Sequence, residues 1–107
     1  MYRVDKSACA LLKSSCNNLP IIFDVTHSLQ CRSEGQESSG GRRSDVLNLA
    51  KAGICQSIAG IFLETHPDPD KALCDGPSAL PLSMIEDFVK QIHGVDSLIK
   101  SQEDINI

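Results

Sequence analysis

The sequence predicts an α/β fold in which helices alternate with short buried strands. Three observations carry that expectation. Two short apolar runs, residues 21–25 and 58–63, each end in polar side chains suited to chemistry. Segments before, between and after them repeat apolar residues at helical spacing. The resulting order is helix, strand, helix, strand, helix, and such alternation calls for parallel strands joined by right-handed crossovers.

The first helix is expected over residues 4–16, where Val4, Ala8, Leu11 and Leu12 share a face. Asp5 or Ser7 would cap it, Asn17-Asn18 would close it, and Pro20 stands at the start of a strand, where proline is tolerated. Residues 21–25 are apolar apart from Asp24 and rich in β-branched side chains. That pattern fits a strand covered on both faces, as parallel sheets require. Residues 31–41 are polar and carry Gly35, Gly40 and Gly41, so they read as a long loop, functional or disordered. A second helix over about 44–56 puts Val46, Leu47, Ala50 and Ile54 on one face, and the second strand covers 58–63. His66-Pro67-Asp68-Pro69-Asp70 reads as a stiff exposed turn whose aspartates bond the local backbone.

The last helix has the strongest signature. Ser83 and Glu86 have the spacing of a capping box. Met84, Ile85, Phe88, Val89, Ile92, Val95, Leu98 and Ile99 then form one broad apolar stripe, with Gly94 a point where the helix could bend or end. The tail 101–107 is expected to fray.

Composition narrows the function. The 107 residues carry a net charge of -4 with no clustered basic residues, which argues against a nucleic-acid partner. Every apolar run falls far short of the roughly 20 residues that span a bilayer, and the start lacks the apolar core of a signal peptide. A cytoplasmic protein is the expectation. Five cysteines, an odd number without a Cys-x-x-Cys pair, read as reduced thiols. Cys9, Cys16 and Cys55 fit as small apolar members of helical faces.

The residues that could carry chemistry gather at one place in this scheme. His27 and Glu64 follow the two strands and so leave the same edge of the sheet, and Asp75 returns from the next loop. One imidazole and two carboxylates there could hold a divalent metal or form an acid/base cluster, or they could cap and salt-bridge the loops. Arg42 and Arg43 follow glycines at a helix start, where an anion such as phosphate is often received; a solvated loop end is the alternative.

Four stretches come in order: Asp24-Val25-Thr26-His27-Ser28-Leu29-Gln30, Ser39-Gly40-Gly41-Arg42-Arg43, Glu64-Thr65-His66-Pro67-Asp68-Pro69 and Cys74-Asp75-Gly76-Pro77-Ser78-Ala79-Leu80-Pro81-Leu82. Together they closely resemble the C-terminal part of the 3-deoxy-D-manno-octulosonate 8-phosphate synthases, over nearly the whole chain from about Val4. The resemblance implies the C-terminal portion of a (β/α)8 barrel, residues 21–25 and 58–63 being its seventh and eighth strands. It also implies condensation of phosphoenolpyruvate with D-arabinose 5-phosphate, in the path to the inner sugar of lipopolysaccharide. His27, Glu64 and Asp75 would be catalytic, and Gln30, Arg42 and Arg43 would bind substrate. In metal-dependent members the first three bind a divalent cation together with a cysteine of the first strand.

The wording around Cys74-Asp75 is nearer the metal-independent branch, so no cofactor is expected and a divalent metal is the alternative. Intact relatives are homotetramers. A (β/α)8 barrel takes about 250 residues, so the chain reads as a truncated fragment of one barrel domain, active only if complemented. Two other classes compete with the enzyme reading. One is a small divalent-metal-binding α/β module without catalysis, and the other is a helical interaction protein built on the last stripe.

Overall fold

The computed structural model describes residues 19–31 and 40–107. The helix expected over 4–16 lies outside them, as do Cys9, Cys16 and the middle of the 31–41 segment. Within them, β1 (Ile22–Asp24) pairs in parallel with β4 (Gly60–Phe62), in the register Ile22 with Gly60 and Asp24 with Phe62. Between these strands the chain forms a short antiparallel pair, β2 (Gln30–Cys31) with β3 (Gly40–Gly41), and then α1 (Val46–Ile54). The segment expected as open loop is thus closed at its base by a ladder. Beyond β4, β5 (Thr65–His66) pairs in parallel with β6 (Leu80–Pro81), and α2 (Ile85–Ser101) ends the fold.

The two long strand runs are shorter in the ladder than in the sequence pattern, yet their alternation places the core. Phe23, Val25, Ile61 and Leu63 belong to or pack against a cluster completed by Leu29, Val46, Ala50, Leu80 and Phe88. Full burial of a valine, leucine or phenylalanine side chain, as at Val25, Leu29, Val46, Leu80 and Phe88, contributes roughly 1.5–3 kcal/mol apiece. The helix–sheet approach is close: a Cβ on Gly53 of α1 would lie 2.5 Å from the Phe23 ring. Lys51 of α1 donates to the Gln91 side chain of α2 at 2.8 Å, tying the two helices together.

The expectation of strands covered on both faces is corrected here. Ile22 is 60% exposed and Phe62 45% exposed, on the face opposite the helices. Side chains alternate across a strand, and among the described residues no layer lies over that face. Nor do these residues close a barrel; their sheets are three separate strand pairs.

Further expectations change at the helices. A 3-10 turn over Arg43–Asp45 precedes α1, and another over Leu82–Met84 precedes α2. The second displaces the capping box: no side chain caps the helix start, and Glu86 instead pairs with Lys90 one turn on, at 2.8 Å. α2 runs unbroken through Gly94. Its stripe is wider than the surfaces it meets, so Phe88 is buried while Met84, Val89 and Leu98 stay exposed. Cys55, expected on an apolar face, is an exposed free thiol just past α1.

Candidate functional site at the strand ends

Parallel pairing decides which residues emerge together. The Val25 amide donates to the Phe62 carbonyl at 3.1 Å, extending the β1–β4 register by one step. Thr26 comes next and is wholly buried. Its hydroxyl accepts the Glu64 amide at 2.8 Å and fastens the two exits to each other. A 3-10 turn over His27–Leu29 then lifts the imidazole beside Glu64.

Asp75 arrives by a longer route with its own fixings. The Leu80 amide donates to the Glu64 carbonyl at 3.0 Å, and the β5–β6 pair returns the chain to where it left β4. Asp75 stands just before a 3-10 turn over Gly76–Ser78, and its carbonyl accepts the Ser78 and Ala79 amides at 3.0 Å each. Its backbone is left-handed, with φ 55°, a region that aspartate enters more readily than most residues. Gly76 is required for a different reason: a Cβ there would overlap the Pro69 carbonyl oxygen.

His27, Glu64 and Asp75 therefore meet. His27 Nε2 lies 3.2 Å from Asp75 Oδ2 and 3.4 Å from Glu64 Oε1. One ligand atom from each of the three residues falls within 4.8 Å of the other two. The ring's other nitrogen, Nδ1, is 2.7 Å from Asp24 Oδ2, and Phe62 flanks the ring with centroids 6.1 Å apart. The hydrogen bond to Asp24 holds the His27 pKa above its ordinary value. Partial burial opposes this, while the Asp24 charge, the Asp75 hydrogen bond and the Glu64 charge add to it.

The remaining sequence candidates sit around this cluster. Gln30 donates through Nε2 to Asp75 Oδ1. Arg43 donates to the Gly76 carbonyl at 2.7 Å and to Asp70 at 3.3 Å, so it braces the Asp75 loop from below. Arg42 is exposed and faces Asp45 at 3.8 Å. In the His66–Asp70 stretch, the Asp68 amide donates to the His66 ring at 2.9 Å, and Asp68 and Asp70 face Lys71 and Arg43. That corrects the backbone-bonding turn expected there, and Pro69 within it is buried. Sequence reasoning gave no role to Asp24 or Thr26, although both lie in the motif that contains His27. A separate groove of about 430 Å³ between α2 and β4 is lined by Ile54, Ile61, Ile85 and Phe88 among others.

Residues 2–101 match the model of the DAHP synthetase I family. The chain belongs to that family. Curated relatives named 2-dehydro-3-deoxyphosphooctonate aldolase agree in detail. That of Parasynechococcus marenigrum is 57% identical over 104 residues, covering 97% of this chain and 37% of the relative. That of Aliivibrio fischeri has the same identity and coverage. The Klebsiella pneumoniae protein is 52% identical over 103 residues, 96% of this chain and 36% of its own length. The chain thus spans little more than a third of the relatives it matches.

Proposed function

We propose that this chain is the C-terminal part of a 3-deoxy-8-phosphooctulonate synthase, a cytoplasmic transferase joining phosphoenolpyruvate to D-arabinose 5-phosphate. The observation carrying this reading is the identity of 57% over nearly the whole chain with enzymes whose name describes that product. On this reading β1 and β4 are the seventh and eighth strands of a (β/α)8 barrel, and the cluster lies at the strand ends that such barrels use for catalysis. Whole enzymes of this kind would be homotetramers.

In the reaction, C3 of phosphoenolpyruvate attacks the sugar aldehyde, water adds at C2, and phosphate leaves the hemiketal. His27 orients the reacting water or carbonyl through Nε2. Glu64 and Asp75 hold that water or a sugar hydroxyl and offset positive charge as it develops at C2. The three carboxylates around one imidazole disfavour a phosphate dianion, so the phosphate groups are gripped by cations placed further out. Arg42 and Arg43 are the candidates from this chain, with Gln30 helping to hold substrate.

No cofactor is needed on this reading, and a divalent cation is the alternative. The donor set fits one: an imidazole nitrogen and two carboxylate oxygens lie within 4.8 Å of each other, a set suited to divalent metals. His27, Glu64 and Asp75 would hold the ion, which when bound would polarise a substrate oxygen. The same geometry favours a second reading, a metal-binding module without catalysis.

Grafting residues 2–101 in place of the matching stretch of the Aliivibrio fischeri relative separates these readings. The chimera should release phosphate from phosphoenolpyruvate only when arabinose 5-phosphate is present. His27→Ala should cut that rate at least about 100-fold, as loss of a positioned acid/base group does. A folded chimera that takes up metal and shows no such turnover would replace the synthase reading with the module.

A further inference from the structure

Asp24 makes more bonds at the cluster than any role read from its sequence position requires. Its Oδ1 accepts the Thr26 amide at 3.1 Å and the His27 amide at 2.9 Å, fixing the turn that follows β1. Its main-chain carbonyl accepts the Ser28 hydroxyl at 2.6 Å. With one oxygen and the backbone held in this way, the second oxygen, Oδ2, has a fixed position 2.7 Å from His27 Nδ1. A carboxylate oxygen can only accept, so Nδ1 must carry a proton. Nε2 faces the Asp75 and Glu64 carboxylates at the longer distances of 3.2 and 3.4 Å, so it is the nitrogen that gives up its proton when the ring becomes neutral.

We infer that Asp24 is a positioning residue: it holds the His27 ring in the Nδ1–H tautomer and leaves Nε2 for whatever occupies the Glu64–Asp75 side. This rests on the reading of that side as the working face of the site. It extends that reading to a residue that touches neither substrate nor reacting atom. The arrangement follows a general rule, in which an orienting partner on one ring nitrogen decides what the other can do.

The discriminating variant is Asp24→Asn. Its amide oxygen can still accept the two turn amides, so the fold is retained. Its NH2 then points at Nδ1 and donates, which inverts the tautomer, as in other carboxylate–imidazole pairs. Long-range 1H–15N correlation spectra of the 107-residue chain, taken with the His27 ring neutral, report the tautomer directly. The wild-type ring should show Nδ1–H, and Asp24→Asn should show Nε2–H at an unchanged melting temperature. A wild-type ring in the Nε2–H form, or a variant that keeps Nδ1–H, would overturn the inference. In the grafted chimera the same substitution should lower kcat about 100-fold with KM within about threefold. A chimera silent whatever residue stands at position 24 would sink the synthase reading and leave the tautomer result to decide this one.

Discussion

His27 faces carboxylates through both ring nitrogens, which favours the imidazolium whenever no other cation shares the cluster. The sign of the consequence follows from linkage. A histidine whose folded-state pKa is raised adds stability that is full below the unfolded value of 6.5 and fades as pH rises through the folded value. In the presence of a chelator, the melting temperature should therefore fall as pH climbs above about 6.5, and His27→Gln should flatten that decline. The ring is 40% exposed, so the slope will be modest. A wild-type melt that rises over the same interval would contradict the geometry around the ring. His27 and Glu64 could be nominated from residue type and position after a strand, and Asp75 from the loop that returns beside them. Asp24 and Thr26 could not, because their roles come from a turn and a strand register that spacing alone does not encode.

Elements were legible where period and length agreed. The apolar runs at 21–25 and 58–63 contain β1 and β4, and the repeat after Met84 contains α2. The two-residue pairs β2–β3 and β5–β6 were not legible. They have too few residues to show a period, and it is tertiary closure that forms them. Helix starts were misread because a 3-10 turn competes with a cap for the same amides. Gly94 sets a test at this scale. It lies exposed within α2, and a Cβ there meets nothing within 4 Å. Gly94→Ala should stabilise the chain by roughly 0.5–1 kcal/mol, visible as a higher denaturant midpoint at unchanged m-value. A lower midpoint would mean that α2 does not persist through that position in solution.

At the scale of the whole molecule, the described residues have one finished face and one unfinished face. Helices α1 and α2 cover the Phe23–Leu63 side, while Ile22 and Phe62 stand open on the other. Among the described residues that open face offers apolar area to another surface. Ile22→Thr keeps a β-branched residue in the strand and removes exposed apolar area. It should reduce binding of a hydrophobic dye and change unfolding free energy by no more than about 0.5 kcal/mol. A large loss of stability would instead show that Ile22 is covered in solution. The barrel itself could be expected from family resemblance but not built from this chain, since little more than a third of a relative's length is present.

The left-handed backbone at Asp75 changes what counts as a mild substitution. By charge, glutamate is the nearest relative of aspartate, yet its longer side chain gives none of the local support that lets aspartate occupy φ 55°. Asparagine loses the charge but keeps that tolerance, and glycine keeps the backbone while losing the side chain altogether. At this position the usual ranking of similarity is reversed. A substitution matrix would score Asp75→Glu as gentle, whereas the chain's own geometry makes it the harsher change.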